Sequence, residues 1–441
     1  MSAIDGFVIE PKPAAHFGVG AIAKLPGIVR ATGADHVVVV TDAALAATAV
    51  VTTVLDILLD AGLPSHVFTG VRPNPTTDDL AAGADAVAEA AAGAAVAAEA
   101  AAVAATLKAS APIAGPSAPL TLSASSASLA PSAPVAPHIT LVAVGGGSSI
   151  DAAKGIALAA VNPQRGRDLD YRSHFAASAL PIVAVPTTAG TGAETNAFGV
   201  VTDPATHRKF YVGHATSMPA AAILDPALTV GLPTAVTAAT GMDALTHALE
   251  SYLSLHPNPW SDGIALQAIR MIAANLPRAV QDGTDLAARS QMLLAAHLAG
   301  VAVANTGLGL CHALGQSLGG RWDIAHGVAL SMLLPDVLCF NLPVRTQRMA
   351  EIAFALEVGD THETEGRNAA AAIDAVAALR ERVGLTRLIA DFGITEADFA
   401  QIAADALDDE VLLNTPRPPT RADIDALLSG SLYPPARLRA P

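Results

Sequence analysis

Residues 139–160 read ITLVAVGGGSSIDAAKGIALAA. Five of the first six are apolar, and the run is partly β-branched, which suits a strand buried in a parallel sheet. Gly145, Gly146 and Gly147 break that run, and DAAKGIALAA (151–160) follows with helical composition. Glycines at such a junction let a ligand approach the backbone closely. The free N–H groups at the helix start form an anion site, for which a pyrophosphate is the natural occupant. The pattern is not the GxGxxG fingerprint, so an ordinary glycine-rich turn is the competing reading.

Working outward, VVVVTD (37–42), SHVFTGV (65–71) and PIVAVPTT (181–188) read as further strands. Strands alternating with helices predict an α/β domain with a parallel sheet over residues 1–230. Helical periodicity takes over from about residue 232, in DGIALQAIRMIAANL, DLAARSQMLLAAHLAGVAVAN and AAAAIDAVAALRERVG. An all-α domain over 231–441 is therefore expected. The boundary falls at LDPALTVGLPT, where Pro226 and Pro233 punctuate the chain. Residues 81–137 are a low-complexity Ala/Pro/Ser stretch, read as a surface insertion. Its first part is helical by propensity, and its second is expected to be disordered for want of side chains that build a core.

Bulk properties narrow the function. The chain has 441 residues and a formal charge of −15. Such an acidic protein has no general attraction for nucleic acid or anionic membrane. Two cysteines, Cys311 and Cys339, argue against a disulfide framework and fit a reducing cytoplasm. No signal peptide and no membrane-spanning helix are expected.

Two more stretches bear on ligands. PTTAGTGAE (186–194) offers the hydroxyls of Thr187, Thr188 and Thr191 to phosphate or ribose oxygens, or is simply a capped strand end. Asp42 closes VVVVTD, where a carboxylate can accept adenosine ribose hydroxyls and repel a 2′-phosphate. That favours NAD over NADP, although a solvated turn aspartate reads equally well.

Four residues form a candidate metal set. Asp243 and His247 in GMDALTHALESY are spaced i, i+4 and share a helix face. His312 lies in CHALGQSLGG, and His326 begins a helix expected beyond the Gly319–Gly320 break. Three imidazoles and one carboxylate suit Fe²⁺ or, alternatively, Zn²⁺. Hydrogen-bonded core histidines are the bland alternative.

Five motifs in order resemble the iron-containing (group III) alcohol dehydrogenase family: NPT (74–76), GGGSSIDAAK (145–154), PTTAGTGAE (186–194), ATGMDALTHALESY (239–252) and the His312/His326 block ending HGVALSMLLP. The resemblance spans nearly the whole chain outside 81–137 and the C-terminal tail. It implies an N-terminal Rossmann-like domain and a C-terminal helical domain, the dehydroquinate synthase-like architecture, with a cleft between them. By motif position it implies that Asp243, His247, His312 and His326 are the metal ligands. It places Asp42, Asn74, Gly146, Gly147, Ser148, Asp151, Thr187, Thr188, Thr191 and Lys209 at the cofactor, Lys209 from the loop THRKFYV. Phe198, Val303 and Leu308 are expected to line the substrate side, and none is charged. The implied reaction is reversible oxidation of a small alcohol to its aldehyde or ketone, with hydride passing to the nicotinamide, in a homodimer. One position departs from the family: Gln316 stands where a second histidine follows the third ligand. Glutamine cannot take up a proton near neutral pH. Two other readings stay open, a reductase of a carboxylated or phosphonylated carbonyl, in which His207, Arg208 and Lys209 meet an anion, and a weakly active or non-catalytic cofactor-binding homologue.

Overall fold

The computed structural model describes Ile9, residues 13–109 and residues 138–432, with only the backbone path of 97–109. Six strands form one sheet: β1 (Ala14–Phe17), β2 (His36–Asp42), β3 (Ser65–Val71), β4 (Ile139–Gly145), β5 (Ile182–Pro186) and β8 (Ala221–Leu224). Their order is β1-β8-β5-β4-β2-β3, with every pairing parallel. A separate antiparallel hairpin pairs β6 (Phe198–Asp203) with β7 (Arg208–Gly213).

All residues of β4 and β5 are buried, as expected of strands covered on both faces. Alternation along β4 divides two cores. Leu141 and Ala143 face α5 (Gly147–Ala159) and the start of α4 (Thr77–Ala109). Val142 and Val144 face α1 (Leu25–Ala31) and α3 (Ala49–Asp60), which supply Leu25, Val29, Val54 and Leu58. A four-residue helix, α2 (Ala43–Ala46), follows β2 directly. From β2 the chain steps outward to β3, then returns to the other side of β2 to place β4, β5 and β8. Strand order therefore reverses between β2 and β4, and open α/β sheets bind ligands at the carboxyl ends beside such a switch.

The structure revises two expectations in this half. The stretch read as an insertion from residue 81 begins inside α4, where Ala84 and Val87 are buried in the same core as Leu80 and Ile156. Ala and Val carry too little bulk to announce a packed face, so composition masked a crossover helix. The part expected to be disordered, 111–137, lies outside the described residues. The loop expected at THRKFYV is instead the hairpin: His207 holds the turn at φ 54°, and Arg208 and Lys209 open β7.

The second half is helical throughout its described residues: α6 (Thr234–Leu253), α7 (Pro259–Gln281), α8 (Leu286–Thr306), α9 (Leu310–Trp322), α10 (His326–Ala355), α11 (Glu365–Arg382), α12 (Phe399–Leu407) and α13 (Arg421–Leu432), with short 3₁₀ turns between some of them. They enclose one core that includes Met242, Leu249, Ile269, Leu314, Leu330 and Ile373. The break before His326 is not at Gly319–Gly320, which α9 crosses intact, but at Asp323, whose φ of 50° ends the helix. No spanning helix was expected, yet α8 and α10 are long and apolar enough to cross a membrane. Their apolar windows are 67% and 61% buried inside the fold, as core helices are.

Candidate active site

α6 carries Asp243 and His247 one turn apart, His312 lies in the first turn of α9, and His326 opens α10. Asp243 Oδ1 lies 3.5 Å from His247 Nδ1, 3.7 Å from His312 Nε2 and 3.8 Å from His326 Nε2. His247 Nε2 and His312 Nε2 face each other at 3.1 Å. Asp243, His247 and His312 offer ligand atoms that all lie within 4.8 Å of one another. His326 sits at the rim, its ring centroid 5.4 Å from that of His312. Ligand atoms on a tetrahedral ion with arms of about 2.0–2.1 Å stand roughly 3.4 Å apart, which falls among these separations. Asp243 Oδ1 is buried and accepts no hydrogen bond among the described residues. An orphaned carboxylate oxygen facing three imidazoles fits a divalent cation of the iron or zinc kind.

The electrostatics agree with that fit. Burial would raise the Asp243 carboxyl, but the three imidazoles outweigh it and hold it below the usual range. Burial lowers His312, yet Glu250 and Asp243 prevail and lift it to about 9. Burial takes His326 down to about 3. Two buried carboxylates, Asp243 and Glu250, thus draw positive charge into the cluster. Sequence reading missed Glu250. It stands three residues beyond His247, and its partners on α9 are some sixty positions away.

The cofactor candidates from the first half meet at the carboxyl edge of β2, β4 and β5. Gly146 caps α5 and Gly147 begins it. A Cβ added at Gly146 would come 3.2 Å from the Thr188 side chain, and one at Gly147 would come 2.5 Å from Thr191 Cγ2. The GGGSSID and PTTAGT loops therefore pack directly on each other, with Ser148 in the first turn of α5. Asp42, at the end of β2, accepts from Leu45 N at 2.8 Å and caps α2. Asp151 accepts from Val200 N at 3.0 Å and so ties α5 to β6. Thr187 is buried and donates its backbone N–H to the Gly145 carbonyl at 2.9 Å.

Lys154 was also missed. Its side chain is fully buried, and Nζ donates to the Ala193 carbonyl (2.7 Å), to Asn196 Oδ1 (3.0 Å) and to the Phe198 carbonyl (2.5 Å). The loop also meets the helical half. Gly192 and Gly300 touch through backbone, since a Cβ on Gly300 would lie 2.8 Å from Gly192 Cα. Beside them Glu194 pairs with His297 Nδ1 at 2.9 Å.

Across the cleft, Lys209 donates to Asn74 Oδ1 at 2.8 Å, and Asn74 donates to Asp323 Oδ1 at 2.9 Å. Burial lowers the Lys209 ammonium to about 8 against the pull of Asp151, Asp323 and Asp243. One turn after His312, Gln316 donates to the Tyr211 hydroxyl at 2.8 Å, and Tyr211 donates to Asp409 at 3.2 Å. Gln316, Tyr211 and Lys209 line a cavity of about 350 Å³ together with Arg208 and Asp409. Of the expected substrate-side residues, Phe198 is half exposed with its ring edge-on to Tyr171 at 5.5 Å. Val303 is buried in the last turn of α8, and Leu308 lies in the link to α9.

Comparison with known proteins settles the family. The model described as "Fe-containing alcohol dehydrogenase family, C-terminal" matches residues 237–432. The model "Iron-containing alcohol dehydrogenase" matches 12–135 and 124–226. The chain belongs to the iron-containing alcohol dehydrogenase family. Among its relatives in the family, the NAD-dependent methanol dehydrogenase of Bacillus methanolicus is 32% identical over 420 residues, covering 95% of this chain and 98% of that one. The probable alcohol dehydrogenase EutG of Escherichia coli (strain K12) is 44% identical over 277 residues, 63% of this chain and 69% of its own length. A crystal structure of a 1,3-propanediol oxidoreductase superposes with a TM-score of 0.81 at 33% identity, covering 97% of this chain and 100% of that one. As members of this family do, the chain pairs a parallel-sheet domain with a helical one and acts as an oxidoreductase on CH–OH groups.

Proposed function

We propose that the chain is an NAD-dependent dehydrogenase that interconverts a small neutral alcohol and its aldehyde or ketone. The observation that carries this reading is the convergence of three imidazoles on the unpartnered Asp243 Oδ1, at 3.5, 3.7 and 3.8 Å. A divalent cation on Asp243, His247, His312 and His326 supplies Lewis acidity toward a substrate oxygen, and NAD supplies the hydride acceptor. The family name favours iron, while the donor set takes zinc equally well.

The chain's own residues bind, orient and exclude. Asp42 spends one carboxylate oxygen on the α2 cap and keeps the other for a ribose hydroxyl, which favours NAD over NADP. The N-terminus of α5 at Gly146–Ser148 presents backbone N–H groups to the pyrophosphate. Thr187, Thr188 and Thr191 lie beside that loop, and Asn74 holds Lys209, which stays cationic at neutral pH. Gln316 donates to Tyr211 and leaves its amide oxygen as a fixed acceptor toward ligand. It cannot take up a proton near neutral pH, so the alcohol proton leaves through water or a ribose hydroxyl. A neutral substrate is favoured because Arg208, beside Lys209, is engaged by Asp405 and Asp408. Phe198, Val303 and Leu308 add no charge. Among the described residues β1 pairs on one side only, an edge that suits a homodimer, and two unpaired cysteines suit a reducing cytoplasm.

The test is NADH oxidation with a panel of short aldehydes, with and without added Fe²⁺ or Zn²⁺. Metal-dependent turnover is expected. Absence of turnover with every aldehyde and both metals would leave a cofactor-binding protein without this chemistry.

A further inference from the structure

Glu250, on α6, is largely buried against the start of α9, and its carboxylate accepts three hydrogen bonds there. Oε2 accepts from Gly309 N at 2.8 Å and from His312 Nδ1 at 2.6 Å, and Oε1 accepts from Cys311 N at 2.7 Å. Gly309 is the cap of α9, and Cys311 and His312 belong to its first turn. Backbone N–H groups at a helix start have no intrahelical acceptor, and an anion there is favoured by the helix dipole. Two of the three contacts are explained by that alone. The third is different, because it engages a side chain of the metal cluster.

A neutral imidazole carries its proton on one nitrogen only. When His312 gives up its second ring proton to become a ligand, Nδ1–H stays on Glu250 and the lone pair is on Nε2. That nitrogen faces His247 Nε2 at 3.1 Å and Asp243 Oδ1 at 3.7 Å. The same carboxylate fixes the ring plane and adds a second buried negative charge to that of Asp243. Among the described residues its ion-pair partner is His312. Once His312 has lost its second proton, the two carboxylates leave a charge that one dication cancels.

We propose that Glu250 is the positioning residue of the cation site: it sets the tautomer and orientation of His312, so that metal affinity depends on a side chain that never touches the metal. Orienting partners of this kind are worth about 10–100-fold in metal affinity. The inference rests on the reading of Asp243, His247, His312 and His326 as ligands.

The experiment measures Zn²⁺ dissociation constants by chelator competition on the full-length chain, wild type against Glu250→Gln and Glu250→Asp, each checked for folding by circular dichroism. It is paired with ¹⁵N NMR of the histidine rings in the Zn²⁺-loaded wild type. Weaker binding by about 10–100-fold in Glu250→Gln, with His312 protonated at Nδ1 in the wild type, is the expected result. Equal affinity of wild type and folded variants overturns the role of Glu250 alone. So does a His312 protonated at Nε2, a readout that requires no variant to fold. A wild type that takes up no Zn²⁺ overturns the ligand reading and this inference with it.

Discussion

Gln316 is held by Tyr211: its amide donates to the phenol oxygen at 2.8 Å, while the phenol hydrogen is committed to Asp409 at 3.2 Å. Burial and the neighbouring Asp409 keep that phenol protonated, well above its ordinary range. The chain of donors runs one way, so the Gln316 amide has one orientation. Tyr211→Phe removes a neutral hydrogen bond worth about 0.5–1.5 kcal/mol. Steady-state kinetics should show kcat/KM lower by roughly 2–12-fold. Gln316→His should add an ionisation near pH ~6.5 to the kcat profile, absent in the wild type.

His247→Ala removes a ligand from the buried cluster. Metal content after purification without chelators should be lost together with turnover, a fall on the order of 10³-fold for several kcal/mol of Lewis-acid stabilisation. Retained iron or zinc with full activity would contradict the assignment.

Lys209 gives a pH dependence. Its ammonium is depressed to about 8, from a side-chain reference of 10.5. It is charged below about 8 and neutral above, so NADH affinity should weaken as pH rises through that value. Its stability contribution has the opposite slope: the folded form is deprotonated before the unfolded one, so stability rises between about 8 and 10.5. Fluorescence titration of NADH across pH 6–10 (roughly the span of the two protonation states) should show the weakening in wild type. Lys209→Met should flatten it.

Asp42→Ser removes a carboxylate from the end of β2. The ratio of kcat/KM for NADPH over NADH should rise by about tenfold, the factor that about 1.4 kcal/mol of relieved repulsion gives. An unchanged ratio would leave Asp42 as no more than the cap of α2.

Gly300→Ala places a Cβ 2.8 Å from Gly192 Cα, against backbone that cannot swing aside. Overpacking of this kind costs about 1–3 kcal/mol. Thermal unfolding should show a lower midpoint, with NADH binding weakened as well because the Gly190–Gly192 loop shifts.

Much of this was legible in sequence because it is local. The continuous apolar run of β4, the glycines at the start of α5 and the i, i+4 pair on α6 each need only their neighbours in the chain. Short strands were not legible: β1 and β8 have four residues each and lack a β-branched run long enough to stand out. The β6–β7 hairpin was obscured by the charged turn around His207. Glu250, Lys154 and the Tyr211–Asp409 pair escaped for another reason. Each is an ordinary polar residue whose meaning comes from a partner 39 to 198 positions away. The extent of α4 was hidden by alanine, which reads the same on a packed face and on a solvated one.

The buried ammonium of Lys154 has a kinetic consequence. By gathering the Ala193 and Phe198 carbonyls and the Asn196 amide around one point, it ties down the residues that lead into β6. A coenzyme docking beside it would meet a surface already tied in place, with little loop freedom left to surrender. Association limited by diffusion and orientation, without a slow rearrangement step, is the behaviour such a pre-set seat produces.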